Sequence, residues 1–485
     1  MTDTAFYYED TICAPATPAG GAISVIRISG AKAIEIAGSL FTPKSGKSLA
    51  QRAAGTVAFG DISDAEGETL DEVLVTLFRA PHSYTGEDSV EISCHGSAYI
   101  ASRLLQSLIA KGCRMARPGE FTQRAFLNGK MDLSRAEAVA DLIASTSAAS
   151  HRVALKQMRG QFSEELAALR DKLLHLTTLL ELELDFSDHE DLEFADRTQL
   201  QDITEEIRAK LSRLASSFRL GNAIKNGTPV AIVGDTNAGQ STLLNTLLGE
   251  EKAIVSDVHG TTRDAIEDTV NIGGTLFRFI DTAGIRQSDD KVEQIGISRT
   301  FQKLEEAEIV LWVIDSTDWQ KSVRLKSEIL PLCAGKSLLL LFNKSDLIGL
   351  NALTRPTAPN GTNVPQAAAA MLSAFADISA EHLFITAQAS SSCAPVVSYL
   401  EKAAAQTATA TQNDIIITNE RHYAAILSAL ADLDRVSSGL RDGLPGDLIS
   451  QDLRSVLFHL AEITGGAITS DEVLHSVFKS FCIGK

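Results

Sequence analysis

The stretch Gly234-Asp235-Thr236-Asn237-Ala238-Gly239-Gln240-Ser241 constrains the fold more than any other part of the chain. It follows the apolar run PVAIVG and precedes STLLNTLL, whose apolar spacing is helical. A glycine-rich turn from strand to helix lets backbone N–H groups wrap phosphates, and the helix N-terminus adds a favourable field. The spacing is that of G-x-x-x-x-G-K-[ST], with Gln240 where the lysine stands. Ser241 is the expected Mg2+ ligand. Such a turn needs a sheet around it, and short β-rich runs supply one: FRFID (277–281), EIVLWVID (308–315), SLLLLF (337–342) and LFIT (383–386). Helical stretches separate them, which predicts a mostly parallel sheet covered on both faces.

The predicted strand ends carry chemistry in a fixed order. Asp281-Thr282-Ala283-Gly284 ends FRFID, where a carboxylate can reach the Mg2+ shell and a glycine N–H the γ-phosphate. Asn343-Lys344-Ser345-Asp346 ends SLLLLF, where Asp346 can accept two N–H bonds from guanine that adenine cannot supply. Thr386-Ala387-Gln388 follows LFI as a last base-contacting loop. Gly260-Thr261-Thr262-Arg263-Asp264 lies between the phosphate loop and DTAG, where a threonine can close on Mg2+ when a γ-phosphate is present. Together these read as a guanine-nucleotide region.

On either side the pattern differs. AISVIRI (22–28), EVLVTLF (72–78) and SVEIS (89–93) read as strands, with a helical stretch near 31–40, so residues 1–118 form an expected α+β domain. Phe162, Leu166, Leu169, Leu173, Leu176 and Leu180 fall at steps of three and four, one face of a long helix. The run 181–196 holds eight carboxylates and reads as a solvated helix end and loop. Residues 352–380 read as a surface insertion and 386–412 as an exit linker. Thr418 and Asn419 can cap a helix carrying Tyr423, Ile426, Leu430 and Leu433, and segments near 447–461 and 470–481 repeat the pattern. The expected architecture is multidomain, α/β and α. An α+β domain (1–118) precedes a helical domain (119–219 and 391–485) interrupted by an inserted Ras-like α/β domain with a P-loop (220–390).

Composition bounds the partners. Lys+Arg number 44 and Asp+Glu 62, a net charge of −18, so nucleic acid must be met by a local basic patch. No run approaches the ~18 apolar residues of a membrane span. The acidic start MTDTAFYYED has no apolar signal core. Six scattered cysteines without a CxxC pair fit a reducing cytoplasm.

Several stretches resemble the MnmE (TrmE) family of tRNA-modification GTPases over nearly the whole chain. They are DTICAPATPAGGAISVIRISG (10–30), SYTGEDSVEISCHG (83–96), RPGEFTQRAFLNGKMDL (117–133), NAGQSTLLN (237–245), AIVSDVHGTTRD (253–264), DTAGIRQSDDKVEQIGI (281–297) and FCIGK (481–485). The resemblance implies a folate-binding N-terminal domain that also forms a homodimer, a helical domain and an inserted G domain. It implies GTP hydrolysis coupled to modification of C5 of the wobble uridine of certain tRNAs. The implied partner is an FAD-dependent MnmG-type protein, in a heterotetramer. A tetrahydrofolate derivative (5-formyl or methylene) would supply the carbon, and glycine or ammonium the amine.

The family's residues carry over singly. Asn237, the carbonyls of Ser256 and Val258, and the adjacent Thr261 match its K+ site. Ser241 and Thr262 match its Mg2+ ligands. Ala238, Gly239, Thr242, Asp257 and His259 lie within the matching nucleotide-contacting stretches. Glu293 matches the glutamate that orients the attacking water, while Ile285 occupies the position of the usual glutamine after DTAG. Arg27, Glu91, Lys130 and Lys485 match folate-contacting positions, and Cys482 a cysteine placed near that site. Two departures stand out: Thr236 for a proline, a mild change, and Gln240 for the phosphate-loop lysine, which removes a full charge. Two other readings remain: a folate- and partner-binding scaffold with a silent G domain, favoured by Gln240 and opposed by Glu293 and Asn237, and a regulatory GTPase, opposed by the stretches at 83–96, 117–133 and 481–485.

Overall fold

A computed structural model describes residues 10–18, 20–44, 46–185, 197–235, 237–251, 268–280, 304–349, 366–408, 415–466, 474, 477–479, 481 and 484. The chain divides into two compact units. One comprises Met1–Ala144, Ala154–Ile207 and Ser428–Lys485; the other comprises Ser145–Val153 and Arg208–Leu427.

The first unit is built on a seven-stranded sheet of order β3-β4-β5-β6-β2-β1-β7. Its strands are β1 (Thr11–Pro15), β2 (Ile23–Ser29), β3 (Phe41–Pro43), β4 (Val57–Ser63), β5 (Thr69–Phe78), β6 (Ser89–His95) and β7 (Cys113–Met115). All neighbours are antiparallel except β1 and β7. Strand alternation sends Ile26, Ile28, Val73, Val75, Val90 and Ile92 to one face, where α1 (Ala33–Leu40) and α2 (Ala98–Ala110) cover them. The same alternation puts Arg27 and Glu91, a cross-strand pair, on the opposite face.

That opposite face is partly roofed by α3 (Glu120–Leu127), whose Phe121 is buried with Ile12, Ala14 and Ala116. A charged cluster fixes α3. Arg124 bonds Asp10 at 2.5 Å and Glu87 at 3.1 Å, and Arg114 bonds Glu120 at 2.6 Å. Burial pushes the Glu120 carboxyl up, but the Arg114 guanidinium and the Arg117 N–H outweigh it and hold it below the usual range.

Helices α4 (Leu133–Ala144), α5 (Ala148–Met158) and α6 (Gln161–Asp185) follow. In α6 the six apolar residues at three- and four-residue steps are each at most 2% exposed, as their spacing predicts. Leu173→Ala should therefore cost about 2–5 kcal/mol. The check is the urea midpoint of unfolding; no shift would mean that this face is not core. Next comes α7 (Arg197–Asn226), which runs unbroken through residues 219 and 220; the two units divide within it, between Ile207 and Arg208.

The second unit holds a six-stranded sheet of order β13-β12-β11-β8-β10-β9. Its strands are β8 (Thr228–Gly234), β9 (Asp268–Ile272), β10 (Thr275–Ile280), β11 (Ile309–Asp315), β12 (Ser337–Asn343) and β13 (Glu381–Phe384). Only β9 is antiparallel to its neighbour. Helix α8 (Gln240–Glu251) packs on one face of this sheet.

Two expectations are corrected here. Within 352–380, residues Gln366–Ala374 form α9, and Ala368, Met371 and Phe375 are buried in the sheet's second core. Residues 386–412 are not a linker, because Ser390–Ala408 form α10. Its Cys393, Val396, Leu400 and Ala404 recur at steps of three and four and pack on the sheet beside α8. The α/β region thus extends past 390, and the second helical part does not begin at 391.

Arg421 N–H bonds the Asn419 side chain at 2.9 Å, the expected cap of α11 (Glu420–Arg441). Helix α12 (Gly446–Thr464) packs along α6. No described helix is long and apolar enough to cross a membrane. Cys13, Cys94, Cys113, Cys333 and Cys393 are free and buried.

Candidate functional site

In the second unit, the ends of β8, β12 and β13 converge because the strands are parallel and adjacent through β11. Strand β8 ends at Gly234, and the chain turns into α8 at Gln240. The turn needs two unusual backbone conformations. Asn237 has φ +66° and Gly239 has φ +99°. Only glycine fits at 239, since a Cβ there would lie 2.1 Å from the Asn343 amide nitrogen.

Asn343 is the keystone of the region. It is 3% exposed. Its Nδ2 donates to the Ala238 carbonyl at 2.7 Å, and its Oδ1 accepts the Ala387 N–H at 2.9 Å. One side chain thus ties the phosphate loop to the loop after β13. Thr246 of α8 adds a bond to the Ala387 carbonyl at 2.6 Å. Thr386 donates its hydroxyl to Asp346 at 3.1 Å and its N–H to Ser392 at 2.7 Å. Asp346 is exposed, in the short turn Ser345–Ile348.

Lys344, at φ +60°, pairs with Asp315 at 2.6 Å. Burial raises the Asp315 carboxyl, yet bonds from Lys344 and Thr317 leave it below its ordinary value. Ser241 is exposed at the start of α8, Thr242 is half-buried and Gln388 is exposed. Gln240 turns back, its Nε2 donating to the Gly234 carbonyl at 2.9 Å.

Sequence reading missed Asp315, Thr246 and Ser392. A signal existed for Asp315, an acid ending the run IVLWVI. The residues Thr236, Ser256, Asp257, Val258, His259, Gly260, Thr261, Thr262, Asp281, Thr282, Ala283, Gly284 and Glu293 lie outside the described residues, as do Cys482 and Lys485.

The first unit holds a second constellation. Arg27 Nε and Nη2 both meet Glu91 Oε1, at 2.9 and 2.8 Å. The guanidinium lies between two rings, 5.5 Å from the Tyr84 centroid and 5.7 Å from that of Phe121. Its Nη1 donates to the Gly484 carbonyl at 3.2 Å. Residues 457 apart in sequence therefore meet. Leu474, Phe478 and Phe481 anchor the tail on Leu133 and Ala136. Gly484 has φ +88°, and a Cβ there would lie 2.1 Å from the Pro15 carbonyl oxygen. Lys130 is exposed and donates to the Pro81 carbonyl at 2.8 Å, on the loop that carries Tyr84. Tyr84 and Phe121 were missed as ring partners, although both stand inside the family-like stretches.

The model of the GTP-binding protein TrmE N-terminus matches residues 11–130, and the model of the MnmE helical domain matches residues 133–482. The tRNA modification GTPase MnmE of Phocaeicola vulgatus is 54% identical, covering 98% of this chain and 99% of its own length. That of Bacteroides fragilis is 57% identical, covering 98% of this chain and 100% of its own. The chain belongs to the MnmE family of tRNA modification GTPases. The TrmE-type segment holds the β1–β7 sheet, and the span of the MnmE helical model contains the phosphate loop. A GTP-binding protein of Sulfolobus solfataricus in complex with GDP aligns over 49% of this chain and 67% of its own, at 16% identity and a TM-score of 0.27. That likeness is too weak to carry an argument.

Proposed function

We propose that this MnmE-family chain hydrolyses GTP with K+ and Mg2+ and couples the hydrolysis to modification of C5 of the wobble uridine. It acts in the cytoplasm with an FAD-dependent MnmG-type partner, in a heterotetramer, and takes its carbon from a tetrahydrofolate derivative. The observation that carries the nucleotide part is Asn343 bonded to both Ala238 and Ala387. It holds a phosphate-wrapping turn and a base-side loop in fixed register.

Two described residues support the reading for the cations. The Ser241 hydroxyl is exposed at the start of α8, and Asn237 is exposed on the turn. Ser241 and Thr262 would hold Mg2+; Asn237, Thr261 and the carbonyls of Ser256 and Val258 would hold K+. Bound there, the two cations supply positive charge to the phosphates. Glu293 orients the attacking water.

For the folate, Glu91 offers acceptors to pterin N–H groups, and Lys130 and Lys485 offer charge to the glutamate tail. Arg27 is held rigid beside Glu91, between Tyr84 and Phe121. On the same sheet face Val57, Phe59 and Leu74 are 55%, 48% and 48% exposed. This apolar patch, on the sheet face away from α1 and α2, supports the homodimer through N-terminal domains.

The test is base choice. Asp346 has two acceptor oxygens matching two guanine donors. Asp346→Asn should weaken GTP binding by about tenfold to a hundredfold, the worth of a charged hydrogen bond. It should raise relative affinity for xanthosine triphosphate. Equal binding of GTP and ATP by the unaltered chain would sink the assignment. The scaffold reading, with a silent G domain, is favoured by one observation, the turned-back amide of Gln240. It predicts no GTP turnover, with K+ or without.

A further inference from the structure

We infer that Gln240 sets which form of the nucleotide this chain holds: its phosphate loop is a cradle for guanosine diphosphate and gives the third phosphate little added affinity. The inference rests on the reading of this site as a guanine-nucleotide site and deepens it.

The argument starts from what the side chain has left to offer. Gln240 is the first residue of α8 and follows Gly239. Its Nε2 donates to the carbonyl of Gly234, the last residue of β8, at 2.9 Å. A carboxamide has two N–H donors and one acceptor oxygen. One donor is spent on Gly234, which leaves a single neutral N–H and an oxygen that repels phosphate oxygens. A lysine making the same bond would keep two donors and a full positive charge.

The described lysines that follow the neighbouring strands do not replace that charge. Lys344 is paired with Asp315 at 2.6 Å, and Lys321 with Asp318 at 2.7 Å. What the cradle keeps is backbone: the N–H groups of the turn and the first turn of α8, aimed by the Asn343 and Thr246 bonds. Backbone donors at a helix N-terminus suit the two phosphates nearest the nucleoside. A side-chain cation in this position of a phosphate loop acts on the β- and γ-phosphates. Losing it therefore costs the triphosphate more than the diphosphate, because the triphosphate brings one more charge to the same spot.

Residues 252–267 and 281–303 are the same in any variant at 240. A comparison across position 240 therefore isolates this side chain.

The experiment is calorimetric binding of GDP and of the non-hydrolysable guanosine 5′-(β,γ-imido)triphosphate, in Mg2+ and K+, to the unaltered chain, Gln240→Lys and Gln240→Met. Methionine keeps the length and removes the amide. The expected result is that the unaltered chain binds the triphosphate analogue no more than about threefold tighter than GDP. Gln240→Lys should tighten the analogue by about tenfold or more, and GDP by less, in line with a charge-assisted bond. Gln240→Met should keep the unaltered chain's ratio of affinities. The inference is overturned if the unaltered chain already prefers the analogue tenfold, or if Gln240→Lys tightens both nucleotides equally. Adenine nucleotides in the same titrations separate the two levels. If ADP and the adenosine analogue bind as well as the guanine pair, the guanine reading fails, while the ratio of tri- to diphosphate still tests Gln240.

Discussion

A chain shortened by residues 482–485 is expected to lose tRNA modification while keeping its GTP turnover within about twofold. The pocket proposed for folate depends on the tail, because Arg27 reaches the Gly484 carbonyl at 3.2 Å and Lys485 is the next residue. Hydrogen bonds to charged groups are worth about 1.5–3 kcal/mol. Loss of that bond, with the Lys485 charge, should lower folate affinity by at least about tenfold to a hundredfold. The phosphate loop lies in the other compact unit and keeps its own bonds. Gly484→Ala is the gentler version. Its Cβ would meet the Pro15 oxygen at 2.1 Å, so the tail must shift while every functional side chain remains. Modification is read by mass spectrometry of wobble nucleosides in the presence of the MnmG-type partner and folate. Full modification by the shortened chain would remove the tail from the site.

Gln240→Lys should raise GTP turnover by about tenfold to a hundredfold, most of all in K+. A lysine and K+ act on different parts of the phosphate chain, so their charges add. Each 1.36 kcal/mol off the barrier is about tenfold in rate. Adding Glu293→Ala to that variant should abolish turnover with little change in nucleotide affinity, because water orientation is needed only during reaction. Phosphate release with K+ or Na+, beside binding titrations, separates the two effects. If Gln240→Lys changed nothing and K+ had no effect, the G domain would be silent and the scaffold reading would stand. If the unaltered chain were already as fast as Gln240→Lys, the argument from the missing charge would fail.

Local pattern made much of the fold legible. The α6 face showed because its apolar residues are large and recur at helical steps, and the parallel sheet showed because its central strands are apolar on both faces. Helix α10 stayed hidden for the opposite reason. Its buried positions include Cys393 and Ala404, set among serine, alanine and threonine, so the contrast between its faces is small. The same holds for α9, where Ala368 is fully buried and its neighbours are also alanines. Asn343 could be named from its motif, but its bond to Ala238 could not, since that depends on where β12 sits relative to the phosphate turn. No spacing rule brings Gly484 to Arg27; only the family resemblance pointed to a shared site, and the geometry supplied Tyr84 and Phe121 as the walls around the guanidinium.

The meeting of Arg27 with Gly484 also bears on the order in which the chain folds. A flexible loop spanning 457 residues costs about 5 kcal/mol to close, by the logarithmic law of loop entropy, before any constant term. A single hydrogen bond and a glycine nestled on Pro15 cannot meet that cost from an unfolded chain. The cost falls once the intervening helices and the β8–β13 sheet have formed, because folded segments shorten the effective loop. The clasp at Arg27 is therefore expected among the last contacts made in refolding. A chain stalled at an intermediate would hold the Asn343 bonds of the phosphate loop while Arg27 still lacked its partner at Gly484.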